Sequence, residues 1–310
     1  MKKLFVMTLA VAALASCSKV EPIEPGYKSA IGFGKSFVDN STKALIDNTN
    51  IANFAVWGTE KNEPIFAGDV VSGTYGGDWT YTATKRYWHT GNDYAFAAVA
   101  PADQGGNVTA LAAGLPSTAE YTLATELASQ VDLLYAKTTV AGTVVVDNYN
   151  TPVGFTFAHQ LAKVDFHIKN SYPAGYTVRI DNLKIKASKS ATVTFPGAWS
   201  AHAALADDFK LPFTIATIAT GATGVSNQSL IIPKAAWATA GDIFYTVEGT
   251  ATVVMGSTDV ETISLAYELK DELEAGYHYN ITADVTPGNP IEFNVTGVDG
   301  FTTATPDVEM

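Results

Sequence analysis

Cysteine is nearly absent from this chain, since Cys17 is the only one among 310 residues. No disulfide can form within the chain, so packing alone must hold the fold. Charged residues make up only 16%, and acidic residues outnumber basic ones to give a net charge of −12. This balance argues against nucleic acid or an anionic membrane surface as a partner. Arginine is also scarce, with only Arg86 and Arg179.

The first 17 residues have the organisation of a lipoprotein signal peptide. Lys2 and Lys3 precede an apolar stretch, residues 4–14, that is too short to span a bilayer. Leu-Ala-Ser then leads to Cys17, at the position where a lipoprotein signal peptidase requires a thiol. We predict export, cleavage before Cys17, and attachment of diacylglycerol and palmitate, which would anchor the protein at the outer membrane. The alternative is an ordinary secretory peptide with an incidental cysteine.

The rest of the chain is rich in strand-forming residues. Short runs of β-branched and aromatic residues alternate with Gly, Asn, Asp and Pro clusters, which predicts strands. Residues 18–28 contain two prolines and predict a tether. Residues 106–130 and 198–209 are less periodic and predict loops with short helical turns.

Apolar residues make up 47% of the chain, enough for a sizeable core. Six turn-prone residues, 147–152, predict a boundary between a unit at 18–150 and a second at 151–310. In Val164-Phe166-Ile168, apolar positions alternate with Lys163-Asp165-His167, as in a strand with one solvated face. We therefore predict an all-β fold of two tandem antiparallel β-sandwiches.

No motif with catalytic chemistry is present in the sequence. It contains no Gly-x-Ser-x-Gly elbow, no P-loop and no Gly-x-Gly-x-x-Gly after a strand. The histidines show no metal-ligand spacing; they are His89, His159, His167, His202 and His278. We predict a protein that is not an enzyme and binds no metal or cofactor. The aromatic residues between Trp57 and Phe96 either fill a sandwich core, which we favour, or form a sugar-stacking platform.

Several segments resemble, in order and spacing, those of the fimbrillin-like lipoproteins of Bacteroidetes, the subunits of type V pili. After the Cys17 motif and its tether, the resembling segments are Ile31-x-Phe33, Thr42-Lys43-Ala44, FAVWG at 54–58, Tyr87-Trp88, NDYAFAAVAP at 92–101, VDLLYA at 131–136, FAHQLAKV at 157–164 and EAGYHYNI at 274–281. The resemblance implies two transthyretin-like sandwiches and a structural subunit of a cell-surface fimbrium that supports cell adhesion.

Assembly by strand exchange is also implied by the resemblance. A trypsin-like protease removes the N-terminal strand, and a strand from another pilus subunit fills the vacated groove. In known members the protease cuts after arginine in an Arg-Ala pair, whereas this chain has Lys43-Ala44. Either the protease accepts lysine, or this subunit is unprocessed and serves as an anchor or tip. A pilus-tip adhesin or an anchored glycan-binding lipoprotein is the alternative function.

Two apolar triplets are candidates for the exchanged strands. Ile31 and Phe33 lie in the strand that cleavage between Lys43 and Ala44 would remove. The strand Ile291-Glu-Phe293-Asn-Val295 near the C-terminus carries the same side chains at the same spacing, which predicts the donor. The alternatives are that this strand is a permanent edge strand of its own unit, or that the donor lies further on, around residues 298–305.

Overall fold

The structure, a computed structural model, describes residues 27–34, 37–38, 50–103, 108–110, 114–234 and 245–300. These residues form strands joined by turns, with a short 3-10 helix at Leu127–Ser129 and no α-helix among them. Segments rich in Val, Thr, Tyr and Phe, punctuated by Gly, Asn and Pro, favour this outcome. The predicted all-β class, built largely of antiparallel sheets, is confirmed.

Twenty-three strands follow one another along the described residues. The first eleven are β1 (Tyr27–Ala30), β2 (Phe37–Val38), β3 (Asn53–Glu60), β4 (Glu63–Ser72), β5 (Thr80–Tyr81), β6 (Tyr87–His89), β7 (Tyr94–Ala100), β8 (Val108–Ala110), β9 (Pro116–Thr122), β10 (Leu134–Val140) and β11 (Thr156–His159). The rest are β12 (Ala162–Asn170), β13 (Tyr176–Lys186), β14 (Ser190–Thr194), β15 (Ala198–Ser200), β16 (Lys210–Pro212), β17 (Ile218–Ala219), β18 (Thr223–Val225), β19 (Ser229–Ile231), β20 (Tyr245–Met255), β21 (Thr258–Leu269), β22 (Tyr277–Val285) and β23 (Phe293–Gly300).

Five sheets arise from these strands. The largest has seven strands in the order β2-β11-β10-β7-β3-β4-β5. Two facing sheets in the second half contain β18-β12-β22-β23, with β19 beside β12, and β16-β13-β20-β21, with β17 beside β13. A four-stranded sheet, β15-β14-β9-β8, and the pair β1-β6 complete the fold. Two strand pairs, β2-β11 and β12-β22, are parallel, so the antiparallel expectation does not extend to them.

Buried side chains form two hydrophobic clusters. The first core is rich in aromatic residues and contains, among others, Ile31, Phe33, Val38, Phe54, Phe66, Trp79, Tyr81, Trp88, Phe96, Phe155 and Phe157. The second core is mainly aliphatic and contains, among others, Leu161, Val164, Phe166, Ile168, Val178, Ile185, Leu211, Val247, Leu269, Ile281 and Phe293.

The seven-stranded sheet contributes to both cores. Along β3, Phe54 and Val56 belong to the first core, while Ala55 and Trp57 belong to the second. Successive side chains of a strand point to opposite faces, so this alternation places one core on each face of the sheet. Burial on both faces explains why FAVW and AFAAVA read as continuous apolar runs rather than as alternating strands.

Phe157 is the last residue of the first core along the chain, and the buried apolar residues from Leu161 onward all belong to the second core. Val153, Phe155 and Phe157 still pack in the first core, and β11 pairs with β10. The predicted boundary at residue 150 remains a prediction, because the turn-prone residues before it lie several positions ahead of this change. In addition, β9 pairs with β14, which ties the two halves of the chain together.

Residues predicted as loops contain strands. Segment 106–130 holds β8 and β9, and segment 198–209 holds β15. In β9, Ala119 and Tyr121 are buried while Glu120 and Thr122 are exposed, a period-two pattern too short to stand out beside the prolines and serines around it. It pairs with β8 on one side, and its partner on the other side, β14, lies some seventy residues further along the chain, so a pattern local to the segment does not reveal that pairing.

The face of β12 that the sequence predicts to be solvated is largely buried. Lys163 and Asp165 are only 2% and 3% exposed, whereas His167 is half-buried. Asp165 lies 3.2 Å from Nε2 of both His167 and His278 and accepts a hydrogen bond from Gln228 at 3.2 Å. Burial raises the pKa of Asp165, but these contacts outweigh it and hold the pKa below its usual value. A charged residue is therefore buried here because its partners surround it.

Candidate strand-exchange groove

The N-terminal segment, residues 27–34 and 37–38, lies along the first core between two edges of the fold. On one side, β1 pairs with β6, and Phe33 forms an antiparallel bridge with Trp79. On the other side, Phe33 forms a parallel bridge with Val153, and β2 pairs with β11. The segment thus closes a gap that would otherwise run between β6 and β11.

Four hydrogen bonds fasten the middle of this segment. Ile31 N–H donates to Arg86 O at 2.7 Å, and Tyr81 Oη donates to Ile31 O at 3.0 Å. On the opposite edge, Val153 N–H donates to Gly32 O at 2.8 Å, and Gly34 N–H donates to Val153 O at 2.9 Å. Both edges of the segment are therefore bonded, as in a strand inserted into a sheet.

Three apolar side chains of the segment are buried in the first core. Ile31 is 1% exposed, Phe33 is 4% exposed and Val38 is 1% exposed. Each contributes about 1.5–3 kcal/mol by leaving water. Without the segment, the first core would expose both apolar side chains and unpaired backbone groups.

Phe33 is the centre of an aromatic group. Its ring lies 5.4–6.3 Å, between centroids, from five other rings, those of Phe54, Phe66, Tyr81, Phe96 and Phe155. Four of these contacts are edge-to-face, and the contact with Phe155 is stacked. Such pairs add about 0.5–1.5 kcal/mol each beyond the area they bury, so Phe33 is the strongest anchor of the segment.

Two buried polar groups of the first core find no hydrogen-bond acceptor among the described residues. They are the indole Nε1 of Trp79 and that of Trp88. Trp79 forms the bridge to Phe33, and Trp88 lies in β6 beside β1. A buried donor left unsatisfied costs about 1–3 kcal/mol.

The predicted donor residues lie elsewhere, in the second core. β23 pairs antiparallel with β22 and forms the edge of its sheet. Phe293 is 1% exposed, and its ring lies 5.8 Å from those of Phe166 and Tyr267. Ile291 and Val295 are half-buried against the same core. The structure does not bring these residues near Ile31 and Phe33 within one chain, since the two sets belong to different cores.

The remaining predicted site residues, Cys17, Lys43 and Ala44, lie outside the described residues. Sequence reasoning missed Val153 and Phe155 as parts of the groove, because the turn-prone run before them suggested that they open a second unit. The alternation of Val153, Phe155 and Phe157 is visible in the sequence, but the sequence does not show that these three residues belong to the first core.

The other polar groups of the described residues lack the geometry of a metal centre. No group of three or more His, Cys, Asp or Glu residues there is placed to hold a metal ion. His159 Nδ1 lies 2.7 Å from Asp132 Oδ2, with both side chains 1% exposed, and the two residues join the loop before β10 to the end of β11. Most of the aromatic residues from Trp57 to Phe96 are buried, as expected for core residues rather than a sugar platform.

A family model described as fimbrillin-like matches residues 39–298. The chain belongs to the fimbrillin-like family. This membership supports a role as a pilus subunit or in adhesion, on a cell-surface appendage and in assembly with other subunits. The predicted family is thereby confirmed.

Solved structures similar to this fimbrillin-like chain show the same fold. A candidate cell adhesion protein from Bacteroides uniformis is 17% identical, with a TM-score of 0.52 over 88% of this chain and 97% of its own. Another candidate cell adhesion protein, from Bacteroides ovatus, is 14% identical, with a TM-score of 0.52 over 89% and 98%. No curated protein matches the chain. Among the described residues, no helix is long and apolar enough to cross a membrane.

Proposed function

We propose that this protein is a structural subunit of a type V pilus, exported as a lipoprotein and polymerised by protease-triggered strand exchange. The observation that carries the proposal is the N-terminal segment, which is buried by its side chains and bonded along both edges, yet belongs to no continuous ladder. A segment held in this way is one that another strand can replace.

The processing steps rest on sequence positions outside the described residues. Cys17 carries the lipid, and a trypsin-like protease cuts between Lys43 and Ala44, in the stretch that joins β2 to the residues before β3. Cleavage there frees the N-terminal segment from the chain that follows it. Its side chains and four central hydrogen bonds then hold it only non-covalently.

In the proposed exchange, Ile291, Phe293 and Val295 of another subunit enter the groove. This step costs free energy, because β23 also completes the second core of its own chain. Withdrawing Phe293 exposes a side chain whose burial is worth about 1.5–3 kcal/mol. The new contacts in the first core must offset that loss, and the aromatic surroundings of Phe33 are suited to do so.

The function can be tested in cells that assemble the pilus. Lys43→Ala should retain residues 18–43 on the surface protein and block polymerisation, as measured by N-terminal sequencing and electron microscopy of sheared material. Lys35→Ala is the matched control and should assemble normally. Pili whose subunits still begin at Cys17 would contradict the proposal.

A pilus-tip or anchoring role is the second candidate, and one observation favours it. A terminal subunit accepts a strand without donating one, and β23 is paired with β22 at seven positions and anchored by Phe293. Deletion of residues 291–310 removes the proposed donor, whereas deletion of residues 301–310 leaves it in place, so the two deletions together separate the roles. A terminal subunit that remains folded should join pili after either deletion, whereas a shaft subunit should stop elongation after the longer deletion and continue after the shorter one.

A further inference from the structure

The aromatic surroundings of Phe33 determine which side chain fits the centre of the groove. Phe54, Phe66 and Phe96 are each at most 1% exposed, so their rings have no freedom to close over a smaller side chain. An aliphatic residue in this place would lose the ring-to-ring contacts and leave a cavity. The site therefore discriminates in favour of an aromatic side chain.

The two glycines beside Phe33 are not equivalent. A Cβ atom added to Gly32 would meet nothing within 4 Å, whereas one added to Gly34 would lie 3.1 Å from Pro152 Cβ. Pro152 has little freedom to retreat, because Val153 next to it bonds to both Gly32 O and Gly34 N. The groove therefore tolerates a side chain on one flank of the aromatic residue and disfavours it on the other.

The hydrogen bonds of the groove do not discriminate between one incoming strand and another. They run from backbone groups of the segment to Arg86 O, Val153 and the Tyr81 hydroxyl. Any strand in register can satisfy them, so they supply affinity while the side-chain positions supply specificity.

We propose that the groove selects a partner strand with an aromatic residue directly beside a glycine, placed at the positions of Phe33 and Gly34. This inference rests on the proposed strand exchange and names the chemistry of the incoming strand. It also evaluates this chain's own C-terminal strand. The rule therefore counts against the donor named above, Ile291, Phe293 and Val295. Phe293 supplies the aromatic residue, but its neighbours Glu292 and Asn294 both carry side chains, so a strand with a glycine beside its aromatic residue, from a different pilus subunit, would fit better.

The test uses the full mature chain with residues 39–43 replaced by the recognition sequence of a site-specific protease. After cleavage, all residues remain in the complex, and a fluorescent peptide copying residues 27–38 is added to displace the resident segment. The copy and its Gly32→Val variant should exchange with affinities within about threefold of each other. The Gly34→Val and Phe33→Leu peptides should bind about tenfold more weakly than the copy. A peptide of residues 289–297 should also bind about tenfold more weakly.

A change in the acceptor provides the control. In a Pro152→Gly protein, the Gly34→Val peptide should recover to within about threefold of the copy, while Phe33→Leu should stay weak. If the copy exchanges but all variants bind equally, the selection rule is wrong and strand exchange stands. If the copy itself never displaces the segment, the proposed exchange is wrong and the rule falls with it.

Discussion

The N-terminal segment and β23 are both buried strands at the margin of a core, yet they are held in different ways. β23 pairs with β22 at seven positions, with a single irregularity in register. Among its described residues, the N-terminal segment changes partner along its length, from β6 to Trp79 and Val153 and then to β11, with two paired positions in each strand. Side-chain burial, in contrast, is similar, since Phe33 is 4% exposed and Phe293 is 1% exposed.

This difference separates two contributions to stability. Apolar side chains give the N-terminal segment its affinity for the first core, and a few dispersed hydrogen bonds give it its register. β23 adds a continuous ladder to similar side-chain contacts. A strand without a ladder can be replaced residue by residue by a competitor with suitable side chains, whereas a strand in a ladder must break many bonds first.

The largest expected effect concerns the anchor of the N-terminal segment. Phe33→Ala should lower the free energy of unfolding of the first core by about 3–5 kcal/mol, because it removes a buried ring among five others. Denaturant unfolding followed by tryptophan fluorescence measures this loss, since Trp79 and Trp88 lie in the same core. Gly32→Ala is the control and should change stability by under about 1 kcal/mol. If Phe33→Ala and Gly32→Ala lowered stability equally, Phe33 would not be the anchor of the segment.

Phe293→Ala should be slightly less costly, at about 3–4 kcal/mol, because fewer rings surround it. The loss should appear in the second core and leave the N-terminal segment in place. Hydrogen exchange can separate the regions: the amides of Ile281 and Val295 should lose protection, while that of Ile31 should not. Loss of protection at Ile31 would show that the two segments are not held independently.

Lowering the pH should destabilise the sheet that contains β23, because protonation of Asp165 in β12 weakens that sheet. Because its pKa is lowered in the folded protein, Asp165 contributes stability above its unfolded pKa of about 3.9, and this is lost as the pH falls through the folded value. Asp165→Asn should therefore cost roughly 1–3 kcal/mol at pH 7 and much less once the pH has fallen below the folded pKa of Asp165. Denaturant titrations of both proteins at several pH values measure this, and a difference independent of pH would contradict it.

The smallest expected effects compare single hydrogen bonds on the two segments. Tyr81→Phe removes the buried bond to Ile31 O and should cost about 1 kcal/mol while speeding displacement of the N-terminal segment. Thr282→Val removes an exposed bond to Asn294 O, 3.2 Å long, and should cost less than about 0.5 kcal/mol. The effect of Tyr81→Phe is measured by the kinetics of segment displacement after cleavage. The effect of Thr282→Val is measured by thermal unfolding. Equal effects would mean that burial does not distinguish these bonds.

Much of this architecture follows from local patterns. Runs such as FAVW and AFAAVA predict strands, and Gly and Asn at turns predict where they end. The buried state of Ile31 and Phe33 also follows from their alternation with glycine. The strand at Pro116–Thr122 could not be predicted in this way, because β14, which pairs with it on the side opposite β8, comes from a distant part of the chain.

The sequence by itself determined the β class, the family and the apolar residues at both ends of the described chain. Only the tertiary structure decided which core each of these residues enters, and that Val153 and Phe155 close the groove around Phe33. It also decided that Lys163 and Asp165 are buried. The physical reason is that a period of two fixes which side chains share a face, whereas the element that covers the face is chosen by contacts between residues far apart in the chain.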